Sequence, residues 1–254
     1  MGQRDLKIIG NENTALRDAR CDLAAAFRLA ARFGYHEAIA NHFSLAVSDD
    51  GAEFLINPYG RHFARMRASD LLLLDANRSA AEAEAWHVEP TAWCIHGPIH
   101  RLVPRARCIL HTHMKYATVL SALRDSSLPA IDQNTMRFYG RVALDECFEG
   151  MALTETEGER LAGILADKSV LIMGNHGVMV VAPTVGRALD ELYYFEKACE
   201  TVITAYMTGR DLRVVSESVA HRTAKEWETY TDASERHFSE LKAILDEDSP
   251  GYRD

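Results

Sequence analysis

Apolar residues at three- and four-residue spacing predict two amphipathic helices, one near each end of the chain. The first begins at Asn13 or Thr14 and runs to about Phe33, with Gly34 directly after it. The second follows Thr184 and ends before Gly209, and its apolar positions form one stripe: Val185, Ala188, Leu189, Leu192, Phe195, Cys199, Val202, Ile203 and Tyr206. We expect this second helix to lie across a sheet.

Short apolar runs between these helices predict the strands of that sheet. Residues 42–47 and 53–57 flank Asp50-Gly51, a pair typical of hairpin turns, so the sheet contains antiparallel strands. Residues 70–80 predict another buried strand that leads into a turn, and residues 108–111 predict a further buried strand. The stretch "SVLIMGNHGVMVVAP" predicts a second hairpin, with His176 at its bend.

Other helices are less regular in the sequence. Residues 90–104 begin like a helix that Pro98 should kink or shorten. A helix is predicted from about 115 to 123, and a last one from 226 to 245 with a frayed end, whereas residues 128–150 fit no type. We interpret the chain as one mixed α/β domain, 1–254, with its core at about 13–210 and a helical tail at about 211–254.

Composition and charge narrow the class of partner. The 254 residues carry 28 Lys plus Arg against 37 Asp plus Glu, a formal charge of −9. This balance disfavours nucleic acid and anionic membranes and favours a small-molecule or protein partner. The five cysteines are scattered with no C-x-x-C pair, and the polar N-terminus is no secretory leader, so we expect a cytoplasmic protein.

The sequence "HTH" places two imidazoles at the end of a predicted strand. Alternate side chains of a strand share a face, so His111 and His113 point the same way. A metal site would need a further ligand, for which His176 at the hairpin bend is the candidate. The spacing alone leaves open whether these histidines bind a metal or only end a strand. The pair His96 and His100 has zinc-helix spacing but lacks the adjacent Glu of metalloproteases, and Gly97-Pro98 interrupts it.

Five short motifs resemble one known family in order and separation: "NHFS" at 41–44, "INPYG" at 56–60, "HTH" at 111–113, "RFYGRVA" at 137–143 and "NHG" at 175–177. The chain, over about residues 13–210, resembles the class II aldolase/adducin family. The resemblance implies a three-layer α/β/α sandwich around a mixed, mostly antiparallel sheet. It also implies a homotetramer with active sites between subunits, and one divalent metal per subunit on His111, His113 and His176.

One departure from the family concerns the chemistry. Sugar-phosphate aldolases of this family carry a Ser-Ser-Glu-Trp-like stretch whose Glu is the acid/base, and here Ala92 holds that position. An alanine cannot transfer a proton. The substrate-binding positions Asn41, Gly60 and Thr91 match in kind, whereas Tyr59 and Pro90 each replace a hydroxyl donor. The resemblance therefore favours an unphosphorylated substrate.

We expect a metal-dependent lyase of the decarboxylase or aldolase type that acts on a small keto or hydroxy acid. Zn, Mn, Fe or Co would suit three imidazoles and leave positions for a chelating acid. Arg137 or Arg141 would bind the substrate carboxylate, and Tyr139, Asp132 or His42 would handle a proton, although both arginines fit ion pairs at an interface equally well. An Fe(II) oxygenase and a non-catalytic adducin-like module remain open alternatives.

Overall fold

A seven-stranded sheet forms the centre of the computed structural model, which describes residues 14–77, 87–148, 150–230 and 232–254. The strands are β1 (His42–Ala46), β2 (Glu53–Ile56), β3 (Leu72–Asp75), β4 (Cys108–Thr112), β5 (Val142–Asp145), β6 (Val170–Met173) and β7 (Gly177–Ala182). Their order across the sheet is β3-β2-β1-β4-β7-β6-β5. Every pair is antiparallel except β5 with β6, so the predicted mixed, mostly antiparallel sheet is confirmed.

Helices flank the sheet on both faces. They are α1 (Thr14–Phe33), α2 (Pro90–Leu102), α3 (Lys115–Ser121), α4 (Gln133–Arg137), α5 (Glu155–Leu165), α6 (Val185–Met207), α7 (Glu217–Glu228) and α8 (Ala233–Asp248). Short 3-10 turns lie at Phe63–Arg65, Ala68–Asp70 and Pro250–Arg253. The two long helices predicted from apolar spacing are confirmed, and Thr184 caps α6 by accepting the amide of Arg187.

The alternation of side chains along each strand divides the core into two layers. Leu110 and Val180 face α1 and α6 in the largest buried cluster. Ile109 and Val181, one residue along in each strand, face α2 and α5. The described helices and strands therefore form the α/β/α sandwich that the resemblance implied.

Helix α2 is not shortened at Pro98, one of the two effects predicted for that residue, because it continues to Leu102. A proline donates no amide, so the carbonyl of Cys94 lacks its helical partner. Helix α5 packs at this point, and a Cβ at Gly158 would lie 2.1 Å from the Cys94 oxygen and 2.9 Å from the Pro98 ring. Tight packing against α5 thus stabilises a segment that local propensity would end.

The tail also differs from its prediction. Instead of one helix from 226 to 245 with a frayed end, there are two helices, α7 and α8, with Thr229 and Tyr230 in the turn after α7. The end of the chain is packed rather than frayed: Tyr252 is buried in the same cluster as α1, and its hydroxyl donates to Asp246 over 2.8 Å. The tail therefore contributes to the core.

Two smaller segments complete the comparison with the sequence. Residues 128–150, which fit no type, contain α4 and β5. Within 70–80, the predicted strand is β3 and the predicted turn begins at Ala76 and Asn77, whereas 78–80 lie outside the described residues. Among the described helices, none combines the length and the apolar character that a membrane crossing requires.

Candidate metal centre

Three histidines converge where β4 and the β6–β7 hairpin end. His111 is the fourth residue of β4, His113 follows the strand, and His176 lies in the turn before β7. Their ligating nitrogens all lie within 4.8 Å of one another, and the Nε2 atoms of His111 and His113 are 3.2 Å apart. Within the described chain this is the one group of three or more His, Cys, Asp or Glu side chains that meets such a test.

The Nδ1 atoms of His111 and His113 already have hydrogen-bond partners within the protein. His111 Nδ1 lies 3.1 Å from the Val178 carbonyl oxygen, to which it can only donate, and His113 Nδ1 lies 2.5 Å from Glu37 Oε2. With the protons on Nδ1, two Nε2 lone pairs face each other at 3.2 Å, which is repulsive without a cation near both. Such second partners also fix the rings of metal-ligating histidines in other proteins. The donor set therefore fits a divalent metal.

The turn that presents His176 depends on two special backbone positions. Asn175 has a positive φ of 56°, which Asn tolerates better than most residues. Gly177 starts β7 so close to β4 that a Cβ there would lie 2.6 Å from the Thr112 oxygen and 2.8 Å from Cδ2 of His113. A side chain at position 177 would therefore push the hairpin away from the other two histidines.

Burial keeps three histidines of this region, His42, His111 and His176, neutral. Desolvation, aided by neighbouring imidazoles, lowers the pKa of His111 well below its ordinary value and that of His176 to about 4. His42, paired with His111 across β1 and β4 and stacked on its ring at 4.8 Å, has a pKa of about 3 for the same reason. Neutral imidazoles have the free lone pairs that metal ligation requires.

A buried chain of hydrogen bonds runs from His42 into the core. His42 Nδ1 lies 2.7 Å from His96 Nε2, His96 Nδ1 lies 2.5 Å from Ser44 Oγ, and that hydroxyl lies 2.7 Å from His100 Nε2. All four residues are buried. His42 and Ser44 share one face of β1, and the i, i+4 histidines of α2 lie over that face, so the pair His96 and His100 joins this chain rather than a metal site of its own.

A cleft of about 460 Å³ opens beside the three histidines. Its polar lining includes His42, Glu89 and Thr91, and the rest is mainly apolar. Glu89 caps α2: its carboxylate accepts the Ala92 amide over 2.8 Å and the Thr91 hydroxyl. Of the described residues that line this cleft, Glu89 supplies the one carboxylate.

The predicted substrate-binding residues divide between the cleft and its supports. Thr91 lines the cleft, whereas Asn41 and Gly60 do not, although Tyr59 beside Gly60 does. Asn41 is buried, and its side-chain oxygen accepts the Glu37 amide over 2.7 Å. Asn41 therefore holds the loop that carries the carboxylate partner of His113.

The other predicted residues lie in a different part of this chain. Arg137 pairs with Asp190 at 2.5 Å and Arg141 with Glu191 at 2.5 Å, and these four side chains line a small cavity of about 30 Å³. Asp132 caps α4 by accepting the Thr135 amide, and Tyr139 follows that helix, half-buried. The structure does not bring these residues to the histidine cleft within one chain, so their roles in catalysis and substrate binding stay predictions.

Sequence reasoning missed several partners of the predicted ligands. No local sequence pattern predicts Glu37 as a partner of His113, because the two residues are 76 positions apart. The buried histidine chain could have been predicted from spacing, because His42 and Ser44 lie on one face of a strand and His96 and His100 lie on one face of a helix. Glu89 directly before Pro90 is a typical helix-capping position, since proline favours the first turn of a helix.

Comparisons with known proteins identify the family of this chain. Residues 21–203 match the model of the class II aldolase and adducin N-terminal domain. A putative aldolase class 2 protein of Caulobacter vibrioides is 30% identical over 81% of this chain and 79% of its own length. Human beta-adducin is 27% identical over 80% of this chain and 28% of its own length.

Solved structures give the same result. An aldolase II superfamily protein from Pseudomonas syringae superposes with a TM-score of 0.86 at 31% identity, covering 95% of this chain and 97% of that one. An L-fuculose 1-phosphate aldolase from Glaciozyma antarctica, at 24% identity and a TM-score of 0.79, covers 96% of this chain and 97% of that one and shows the shared fold. Because the family model matches residues 21–203 and the Caulobacter relative is 30% identical over most of both chains, the chain belongs to the class II aldolase and adducin family.

Proposed function

We propose that this protein is a metal-dependent carbon–carbon lyase, of the decarboxylase or aldolase type, that acts on a small unphosphorylated keto or hydroxy acid. The observation that carries the proposal is the pair of His111 and His113 Nε2 atoms, 3.2 Å apart with both Nδ1 atoms bound elsewhere. This geometry favours a shared cation. His176 would supply the third ligand, and Zn, Mn, Fe and Co all accept imidazoles.

A divalent ion on these ligands would supply Lewis-acid chemistry, drawing electron density from the oxygens of a bound acid. The protein's own part is orientation. The Val178 carbonyl and Glu37 fix two ligand rings, and His96 holds His42 by its Nδ1. Because His42 lines the cleft with Nδ1 engaged, its Nε2 is the atom left to hydrogen-bond a substrate oxygen.

Glu89 is our candidate for the proton transfer. Ala92 is buried and has no proton to give, but Glu89 lies three residues earlier in the chain and lines the same cleft. When a carboxylate leaves as CO2, the electron pair of the broken bond stays on the remaining carbon, which then takes up one proton. Glu89, a carboxylate in the structure, would first take up a proton from solvent and then pass it to that carbon. Its bonds to Thr91 and Ala92 hold the carboxyl group in place.

A small-molecule substrate and a homo-oligomer, a tetramer by family resemblance, belong to the same proposal. Arg137, Arg141, Tyr139 and Asp132, which do not line the cleft of this chain, would act only if they reached the cleft of another subunit. Mixing variants therefore tests their predicted roles: Arg137→Ala chains combined with His111→Ala chains should recover activity if one subunit completes the site of another.

Metal analysis of the purified protein tests the central proposal. We expect about one equivalent of a transition metal per chain, and near zero in a His111→Ala/His113→Ala variant that keeps its circular dichroism spectrum. His221→Ala, which removes an exposed histidine on α7, is the matched control and should keep the metal. Iron together with O2 consumption would instead favour the oxygenase. Absence of metal after incubation with each ion would overturn the proposal.

A second candidate is a non-catalytic binding module. It is favoured by the similarity to beta-adducin and by Ala92 at the position where family aldolases carry their acid/base. Release of CO2 or an aldehyde from a panel of 2-keto and 2-hydroxy acids by the metal-loaded protein separates the two candidates. Turnover that disappears in the His111→Ala/His113→Ala variant supports the lyase, and a metal-loaded protein inert toward the whole panel supports the module.

A further inference from the structure

The wall of the cleft beyond the histidines is apolar. It combines residues from three loops and one helix: Ile39, Tyr59, Ile95, Phe148, Met151 and Ala152. Ile95 is buried on α2 and forms part of the inner wall. The ring centre of Phe148 lies 6.3 Å from that of His176, so the apolar wall begins next to the proposed metal ligands.

Large side chains of this wall are exposed to solvent in the cleft. Phe148 is 52% exposed, Met151 73% and Tyr59 61%. Exposed apolar side chains that cluster in a concave site are typical of ligand-binding surfaces, because an apolar group of the ligand can displace water from them. These three converge from two separate loops on one cleft.

Cationic side chains do not contribute to the described lining of the cleft. Its charged side chain is Glu89, which repels anions, and the remaining polar groups are histidines, Thr91, Tyr59 and Asn175. A phosphate or a second carboxylate would find no guanidinium or ammonium partner among them. Arg137 and Arg141, the two arginines predicted to bind a carboxylate, are paired with Asp190 and Glu191 in the separate cavity of this chain.

We propose that the substrate is a 2-hydroxy or 2-keto acid with an apolar substituent, an aromatic ring in the preferred case, that packs on Phe148, Met151 and Tyr59. The inference rests on the proposed function, because the metal would hold the acid end. It adds that the other end of the substrate is uncharged. Polar sugar chains, phosphate esters and dicarboxylic acids are then poor ligands.

Three small acids test this inference by titration calorimetry on the zinc-loaded protein. Glycolate, mandelate and malate share the 2-hydroxy acid and differ in the substituent: hydrogen, phenyl and carboxymethyl. Burial of a phenyl ring against the wall should make mandelate bind about tenfold to a hundredfold more tightly than glycolate. Malate should bind no more tightly than glycolate, because its second carboxylate meets no cation.

Variants of one loop locate the effect. Phe148→Ala and Met151→Ala should each reduce the mandelate preference severalfold and leave glycolate affinity unchanged. Leu153→Ala is the matched control, because Leu153 is 63% exposed in the same loop and does not line the cleft. The mandelate preference should be intact in this variant.

The possible failures are distinguishable. Equal affinities for glycolate and mandelate, or tighter binding of malate, would overturn the inference and leave the metal proposal standing. If Phe148→Ala and Met151→Ala lower the mass in analytical ultracentrifugation without changing mandelate affinity, the wall is a contact between subunits and the inference is wrong. A protein that takes up no zinc and binds none of the acids would remove the proposed function and this inference together.

Discussion

Two buried polar regions of this molecule contain the predicted site residues, and they differ in how their charges and lone pairs are satisfied. In the histidine cleft, the ring nitrogens of His111, His113 and His176 face one another beside an opening of about 460 Å³. In the arginine cluster, formed by Arg137, Arg141, Asp190 and Glu191, each cation has a carboxylate at 2.5 Å, around a cavity of about 30 Å³.

The histidine cleft has polar groups that a ligand could still bind, whereas the charges of the arginine cluster are already paired within the protein. Arg137 also stacks on Tyr194 at 4.7 Å and Trp227 at 5.2 Å, so its guanidinium has aromatic as well as ionic partners. The histidine cleft has unused lone pairs and exposed apolar walls. Within one chain, we therefore assign ligand chemistry to the cleft and stability to the arginine cluster, and the following predictions test that division.

The largest expected effect is on catalysis, at Glu89. Glu89→Gln keeps an oxygen that can cap α2 but cannot exchange a proton at neutral pH, so turnover of the best acid in the substrate panel should fall about 10²- to 10⁴-fold. Metal content and unfolding midpoint should be those of the parent protein. A variant that retains more than half of the activity would exclude Glu89 as the proton donor.

The arginine cluster should respond in stability and not in metal binding. Asp190→Ala leaves Arg137 buried without its carboxylate, which typically costs about 3–5 kcal/mol. Urea unfolding measures the loss, and metal analysis should give the parent value. The matched control is Asp232→Ala, which breaks the exposed pair with Arg236 and should cost less than about 1 kcal/mol. Metal loss in a folded Asp190→Ala protein would show that the two regions are coupled.

Acid should destabilise the folded protein through its buried histidine chain. The folded pKa of His100 is about 3, held low by burial, against about 6.5 unfolded, so the unfolded state binds more protons between these values. The contribution of His100 to the free energy of unfolding is constant above about pH 6.5. Below that pH the contribution falls, by about 2 kcal/mol at pH 5. His100→Gln offers Ser44 a neutral partner, and the metal-free variant should lose about 2 kcal/mol less than the parent between pH 7.5 and 5. Identical pH profiles in urea unfolding would contradict the assignment.

The smallest effect should come from Glu37. Glu37→Gln weakens the partner of His113 Nδ1 without touching a proposed ligand, so metal affinity should fall about tenfold. Competition with a chromophoric chelator measures the change. Asp49→Asn, an exposed carboxylate in the β1–β2 turn, is the control and should keep the parent affinity. An unchanged affinity in Glu37→Gln would show that this carboxylate does not orient His113.

Apolar spacing predicted the regular helices and strands correctly because each of them buries its apolar face in the core. Helix α6 buries its apolar stripe from Val185 to Ile203, whereas the last predicted member, Tyr206, is exposed. The two hairpins begin and end close to their turn residues. Prediction from spacing failed where tertiary packing overrides local preference. Helix α2 continues through Pro98 because Gly158, which has no side chain, lets α5 pack directly against the Cys94 carbonyl. No local sequence pattern predicts that contact.

By itself, the sequence determined the sheet-forming segments, the long helices, the family motifs and the three candidate ligands, because each depends on spacing within a few residues or on motif order. Only the tertiary structure decided which side chains meet. It brought Glu37 to His113 across 76 residues, linked His42 to His96 and Ser44 to His100, and paired Arg137 and Arg141 with carboxylates of the same chain. Such contacts join residues 50 or more positions apart, and chain folding rather than local periodicity sets their distances.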